Sequence, residues 1–279
     1  MSEARPHLTL HEQSASGSVE LPEFGTFLRQ LREQSPRGHR RGGGMSRAEL
    51  ATLAERGVSY ITKLEQGEAQ APSYALVESL ADALGVTDAE RLHLHHLSNY
   101  RHVAASVSPR PMPTITVANK AYVDNLAPAL SGFVDDAWNV LYANPVYSRI
   151  YRHIDDPEIG NVLTWFFFVP ESRRIMVEWE REAHLTVAWF RGLMVGNHLN
   201  GLDCTQLMNT LSRSADFCRM WEAGDVALGR HKEEMLVRDL DRGTLLHLRA
   251  QVLKWPEPAS PLQLYLGVDV GPPQTDSTS

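Results

Sequence analysis

Four side chains within six residues could make specific contacts to a nucleic acid. Val58, Ser59, Thr62 and Lys63 are spaced so that they share the outward side of one short helix. They are small, hydroxylated or basic, and no carboxylate follows them until Glu65. Hydroxyls and a lysine on such a helix can reach base edges and phosphates in a DNA major groove. The sequence therefore predicts double-stranded DNA as a partner.

Positive charge is concentrated around these four residues. The segment 24–66 contains eight basic and four acidic side chains, although the formal net charge of the whole chain is -7. This distribution argues against indiscriminate coating of nucleic acid and favours one local phosphate-binding surface. We predict phosphate contacts from Arg47 and from three arginines of the glycine-rich loop 35–44, namely Arg37, Arg40 and Arg41. A solvated loop is the alternative interpretation of this segment.

The second half of the chain is rich in large aromatic side chains, with methionines among them. Such residues fill a core, or they line an apolar cavity that holds a small molecule. A fatty acid would need an apolar tunnel and one anchor, which an arginine could supply in bidentate fashion. Four arginines in this half are possible anchors, and the sequence does not choose among them. The candidate ligand-binding residues are Trp138, Trp165, Phe167, Trp189, Phe217, Trp221, Arg173 and Arg191.

The motifs of common enzymes and metal sites do not occur. The sequence has no G-x-S-x-G elbow, Walker loop, dinucleotide glycine fingerprint or H-E-x-x-H pair. Cys204 and Cys218 match no zinc spacing, and His93, His95 and His96 have no further ligands at metal spacing. We therefore expect neither an enzyme nor a metal or cofactor site.

The apolar runs and the first residues of the sequence indicate the cellular compartment that we expect for the protein. No apolar run approaches the ~20 residues of a membrane span, and the polar residues 1–19 do not resemble a secretion signal. Two cysteines are too few for a disulfide framework, as is typical of a reducing compartment. We expect a cytoplasmic protein without membrane contact and with disordered tails at 1–20 and 272–279.

Helix signals surround the four outward residues. Ser46 and Glu49 form a capping-box pattern, and Gly67 is placed to end the second of two short helices. The apolar stripes of this pair, Leu50, Leu53 and Ala54 in the first helix and Ile61 and Leu64 in the second, must be buried against neighbours. Three further amphipathic segments, at 21–34, 73–84 and 87–99, supply them. The region 21–105 is thus predicted to be an all-α domain of five helices.

This region resembles the XRE family (Cro/C1-type) of helix-turn-helix transcription regulators. The resemblance rests on Ala48–Ala51 and on Tyr60–Gly67, which align with the family pattern without a gap. The turn departs from it, because Glu55 occupies a position where glycine takes the backbone angle more easily, and Gly57 lacks the usual capping hydroxyl. The resemblance implies sequence-specific DNA binding. We expect a homodimer because one small domain of this kind, which we call the head (residues 21–105), contacts few bases.

A second domain follows a proline-rich linker at 106–113. Its order is one helix, two strands at 132–135 and 138–143, a run of helices that includes one from Glu171 to about Val195, and three more strands, of which 226–235 is the first. This order predicts an α+β domain over 114–271, with an antiparallel sheet and helices on one face. Such an arrangement is PAS-like.

The second domain resembles the ligand-binding domain of MmyB-like transcription regulators. Three stretches support this, at 136–144, 177–180 and 211–221. The resemblance implies a PAS-like module that accommodates a fatty acid or similar lipophilic molecule. The sequence leaves open a ligand-free domain that serves as a dimer or partner platform, a haem or flavin sensor, and an enzyme that uses the aromatic cavity.

Overall fold

The computed structural model describes residues 23–38, 44–69, 72–104, 113–196, 202–229, 234–256 and 262–272. The predicted tails and linker lie outside these ranges, apart from residues 113 and 272. The amino-terminal region is all-α, as predicted. Its five helices are α1 (Phe24–Gln34), α2 (Arg47–Leu53), α3 (Val58–Glu65), α4 (Tyr74–Leu84) and α5 (Asp88–Ala104).

The helix ends form as the sequence signals predict. The Ser46 hydroxyl accepts from the amide of Glu49, whose carboxylate accepts from the amide of Ser46, so both halves of the capping box are present. Gly67 has a φ of +72°, in the left-handed region that glycine adopts at helix ends. The prediction that Leu53 is buried is wrong. Leu53 is 56% exposed, and Ala51 takes the buried position beside Leu50.

The second domain contains seven helices and five strands within its described residues. The helices are α6 (Val117–Asp124), α7 (Pro145–Ile150), α8 (Val162–Phe168), α9 (Ser172–Ile175), α10 (Trp179–Gly196), α11 (Leu202–Leu211) and α12 (Ala215–Glu222). The strands are β1 (Leu130–Val134), β2 (Val140–Ala143), β3 (Glu234–Asp239), β4 (Thr244–Lys254) and β5 (Gln263–Asp269). They pair antiparallel in the order β2-β1-β5-β4-β3, which confirms an α+β domain.

Tertiary contacts change three predicted features, namely one helix, one strand and the placement of helices on the sheet. Met176 forms an antiparallel bridge with Val237, and this pairing interrupts the long helix expected between Glu171 and Val195. The first strand after the helices is β3, which overlaps the predicted segment only at its end. Helices do not cover one face alone, because Val123 of α6 packs against Phe133 on the other face of the sheet.

The head packs directly on the second domain. Val195, near the end of α10, is buried in the hydrophobic core of the head, and α5 lies along α10. The side-chain amide of Gln30 in α1 also donates to the carbonyl of Ala223, just after α12, at 2.6 Å. None of the helices among the described residues is long and apolar enough to cross a membrane.

Candidate functional site

The outward face of α3 is open to solvent. Val58 is 47% exposed, Ser59 and Lys63 are exposed, and Thr62 is half-buried. The Thr62 hydroxyl donates to the carbonyl of Val58 at 2.9 Å, so its oxygen can still accept a hydrogen bond. The four side chains predicted to read DNA therefore form one accessible surface, which we call the α3 face.

The opposite side of α3 is anchored in the head. Ile61 and Leu64 are buried in the head core. Glu65 at the end of the helix accepts from Arg32 at 2.6 Å and 3.2 Å and from Arg47 at 2.8 Å. Burial opposes the charge of Arg32, but the hydrogen bonds and negative charge of Glu65 outweigh it and raise the pKa of Arg32. These contacts hold α3 against α1 and the start of α2.

The turn before α3 has the unusual geometry that its sequence indicates. Glu55 has a φ of +53°, a backbone region that L-residues other than Asn and Asp rarely adopt. Gly57 caps α3 with no side-chain hydrogen bond. The amide of Arg56 donates to the carbonyl of Ala51 at 2.8 Å and closes the turn. The departures from the family pattern are thus accommodated without loss of the two-helix geometry.

The predicted phosphate-binding arginines have different surroundings. Arg47 is 40% exposed at its side chain, and its Nε is bound to Glu65. Its other guanidinium nitrogens can donate to a phosphate while Nε remains bound. Arg37 is exposed and donates to the carbonyl of Asp82, near the C-terminal end of α4. Arg40 and Arg41 lie outside the described residues.

A cavity lies between the inner face of the sheet and the helices. Its volume is about 90 Å³, which exceeds the ~10–15 Å³ that one water requires. The sheet contributes residues of β1, β3, β4 and β5, and α7, α8 and α10 contribute most of the rest. All sixteen lining residues are uncharged, and most are apolar. This composition is typical of a site for a lipophilic small molecule.

Three of the predicted ligand-binding residues line this cavity, namely Trp138, Trp165 and Trp189. The other three aromatic residues are not among the lining residues, although they belong to the same hydrophobic core. Phe217 stacks on Trp221 with ring centroids 5.6 Å apart and meets Phe167 edge-on at 5.4 Å. They pack the helices around the cavity instead of facing it.

Neither predicted arginine anchor lines the cavity. Arg173 lies on the surface, where its guanidinium stacks 3.6 Å from the centre of the Trp179 ring and pairs with Asp216. Arg191 is buried above the Trp221 ring, at 4.1 Å, and donates to the carbonyl of Trp221. Burial lowers the pKa of Arg191 to about 10. Both cations thus have structural partners.

Sequence reasoning missed the tyrosines of the cavity. Tyr147, Tyr151 and Tyr265 line it, and the rings of Tyr147 and Tyr265 stack at 4.8 Å. The hydroxyls of Tyr151 and Tyr265 lie 3.2 Å apart. Tyr147 and Tyr151 are four residues apart within a helix predicted over 146–153, and this spacing could have indicated a shared face. Tyr265 alternates with apolar residues in its strand and gave no separate signal.

Trp138 occupies a turn that fixes its position. Its φ is +63°, in the left-handed region that is unfavourable for a large side chain. The buried carboxylate of Asp135 accepts from the amides of Ala137 and Asn139 at 2.9 Å each, and Asn161 donates to the carbonyl of Ala137 at 2.9 Å. These contacts surround the strained residue and hold its indole at the cavity.

Comparisons with known proteins agree with both halves of this description. The helix-turn-helix domain model matches residues 23–94. The model of the MmyB-like transcription regulator ligand binding domain matches residues 118–277, more than half of the chain. No curated protein matches the chain significantly.

Proposed function

Since the chain belongs to the MmyB-like transcription regulators, we propose that it binds specific DNA sequences through the α3 face and responds to a lipophilic effector in the sheet-side cavity. A helix-turn-helix domain joined to a ligand-binding domain of this family makes the chain a ligand-responsive transcription regulator. Both matched models describe regulator domains rather than enzymes. We propose that the effector is a fatty acid or similar molecule and that the protein acts as a cytoplasmic homodimer.

The observation that supports DNA reading most directly is the α3 face. Its four side chains are accessible while the head is packed on the second domain. Lysine and hydroxyl groups at these positions would contact base edges, and Arg47 would contact a phosphate. A dimer would place two such faces on a two-fold operator.

The effector would act through α10. One part of this helix lines the cavity with Leu185, Thr186 and Trp189, and its end reaches the head core with Val195. A molecule that moves α10 would therefore change how the head is held. For this to regulate DNA binding, the effector must bind the competent and incompetent arrangements with different affinity.

DNA binding is tested by anisotropy with the promoter region of its own gene and with unrelated duplexes, over a range of salt concentrations. We expect Lys63→Ala to reduce discrimination between sequences, and Arg40→Ala to weaken binding to all of them and to flatten the salt dependence. Equal affinity of the wild type for every duplex would contradict sequence-specific regulation.

The effector is tested by lipid extraction and mass spectrometry of the purified protein, followed by thermal shifts with fatty acids. A bound lipid and a rise in melting temperature are expected. Absence of both would favour the platform function of the second domain, and a visible absorbance band would favour a haem or flavin sensor. Sedimentation of the full chain measures whether it is a dimer.

A further inference from the structure

We propose that the hydroxyl groups of Tyr147, Tyr151 and Tyr265, which we call the tyrosine cluster, bind the carboxyl end of a fatty acid in the cavity. This inference rests on the proposed lipophilic effector and names the groups that hold its polar end. It gives to neutral hydroxyls the role that sequence reasoning gave to an arginine.

The first observation is an accessible hydroxyl at the cavity wall. Tyr147 lines the cavity and is 3% exposed. Its hydroxyl has no hydrogen-bond partner among the described residues, yet its oxygen is not one of the fully buried polar atoms that lack a partner. The oxygen therefore keeps some accessible surface, and the cavity that Tyr147 lines is the space open to it. A ligand oxygen there would supply the partner that buried polar groups nearly always have.

The second observation is that two more tyrosines of the cavity lining contact Tyr147. Its ring stacks on that of Tyr265 at 4.8 Å and meets that of Tyr151 edge-on at 5.2 Å. The hydroxyls of Tyr151 and Tyr265 lie 3.2 Å apart, and the Tyr151 hydroxyl donates to the sulfur of Met235 at 3.3 Å. A thioether is a weak acceptor, so a carboxyl oxygen would take this proton in preference to the sulfur.

The hydroxyls are suited to donate at neutral pH. Burial, and then the neighbouring Tyr265, raise the pKa of Tyr147 well above its usual value. Tyr147 therefore keeps its proton, and a hydroxyl can donate to a carboxylate in a short, charge-assisted hydrogen bond. Such bonds offset part of the desolvation cost of placing a carboxyl group in a cavity whose sixteen lining residues are uncharged.

Three other polar groups of the lining are not available to a ligand. The indole N–H of Trp165 and the hydroxyl of Thr186 donate to backbone carbonyls at 2.8 Å and 2.7 Å. The indole nitrogen of Trp138 is fully buried. The tyrosine cluster is therefore favoured as the polar end of the site. Met176 and the edge-on rings of Trp138 and Trp189 provide apolar wall for the hydrocarbon chain.

The test compares octanoate with octane, which has the same number of carbons and lacks the carboxyl oxygens. Binding to the delipidated full-length protein at neutral pH is followed by tryptophan fluorescence, because three tryptophans line the cavity. In Tyr147→Phe, octanoate should bind about tenfold to a hundredfold more weakly than in the wild type, as expected for the loss of one hydrogen bond to a charged group. Octane should bind the variant and the wild type equally, which would show that the cavity is intact.

Tyr142→Phe is the matched control. The Tyr142 hydroxyl donates to Asp124 at 2.9 Å, and Tyr142 packs with Phe133 on the other face of the sheet. This variant should bind octanoate as the wild type does. A second measurement uses octanoate labelled with 13C at the carboxyl group. The resonance of the bound carboxyl should differ between the wild type and Tyr147→Phe, and it should be the same in the wild type and Tyr142→Phe.

The outcomes separate this inference from the proposed function. Equal affinity of Tyr147→Phe and the wild type for octanoate would overturn the tyrosine anchor and leave a fatty acid effector standing. Binding of octane without binding of octanoate would also overturn it, and would leave a lipophilic effector that is not an acid. If neither compound binds, this inference fails, and lipid extraction of the purified protein decides separately whether the proposed effector stands.

Discussion

Arg32 Nε lies 2.6 Å from Glu65 Oε1, and this ion pair joins α1 to the end of α3 with both side chains buried. Arg32 also donates to the carbonyl of Met45, in front of α2, at 2.8 Å. The pair therefore connects the three segments that determine how far α3 projects from the head. The α3 face owes its orientation to a contact on the other side of the helix.

We expect Glu65→Ala to lower the free energy of unfolding of the head by about 3–5 kcal/mol, because it leaves the buried Arg32 guanidinium with only the half-exposed Glu33 as counter-charge. Glu33→Ala is the control, since Glu33 is half-exposed and its pairs with Arg29 and Arg32 should contribute no more than about 1 kcal/mol. Denaturant unfolding followed by circular dichroism measures both. Similar losses in the two variants would mean that Arg32–Glu65 has no special role.

Glu55→Gly should stabilise the protein by about 0.5–1 kcal/mol. The φ of +53° is unfavourable for glutamate, whereas glycine adopts it without steric cost. The gain is limited because glycine also has more freedom in the unfolded chain. Arg56→Gly, at the next position and outside the left-handed region, should instead destabilise the turn. Melting temperatures test the pair, and a loss of stability in Glu55→Gly would contradict the strain argument.

Ala250→Leu should weaken effector binding by at least about tenfold. Ala250 is 7% exposed and lines the cavity from β4, so a larger side chain occupies space that the ligand needs. Gln251→Leu is the matched control, because Gln251 is exposed on the opposite face of the same strand. The measurement is the thermal shift produced by the ligand identified from lipid extraction. Unchanged binding in Ala250→Leu would place the effector elsewhere.

We expect the buried His93 to make the stability of the folded protein depend on pH. It is 1% exposed between the head and the second domain, packs edge-on against Phe27, and has no hydrogen-bond partner at either ring nitrogen among the described residues. Burial, and then the charges of Arg191 and His96, lower the pKa of His93 to about 3 from an ordinary value of 6.5. The folded protein thus keeps this ring neutral well below neutral pH.

The direction of this pH dependence follows from the number of protons that the folded and unfolded states bind. Above pH 6.5 the ring is neutral in both states and contributes no pH dependence. As the pH falls below 6.5, the unfolded chain gains a proton that the folded protein does not, so stability decreases towards pH 3. Between pH 7 and pH 5 the loss is about 2 kcal/mol. In His93→Leu this loss should disappear, as measured by denaturant unfolding at both values. An identical pH profile in the variant and the wild type would exclude His93 as the cause.

Local patterns predicted much of the head. The Ser46–Glu49 capping box, the left-handed Gly67 and the difficult angle at Glu55 all depend on residues a few positions apart, and all three are confirmed. The prediction that Leu53 is buried was wrong, because a helix of seven residues can bury one narrow side and its neighbours decide which. The α3 face is accessible as expected, and its contacts with DNA remain a prediction.

The ligand-binding domain was less predictable, because its site is assembled from residues that are far apart in the chain. Aromatic composition alone indicated a cavity or a core, and the structure divides the same set between the two: Trp138 and Trp165 line the cavity, while Phe217 and Trp221 pack beside it. The position of an arginine in the sequence does not show whether its side chain contacts other residues in the folded structure. The charge of Arg173 is paired with Asp216, whereas Arg191 lies over the Trp221 ring and donates to the Trp221 carbonyl.

The sequence by itself determined the two domain families, the helix ends and the antiparallel α+β order, since each is encoded in short-range motifs and periodicity. Only the tertiary structure decided which side chains enclose the cavity, that no cation lines it among the described residues, and that the indole N–H of Trp138 is buried with no hydrogen-bond partner among them. The physical reason is that burial and hydrogen-bond pairing are properties of the packed chain. They depend on which distant strands and helices meet, and no local pattern records that.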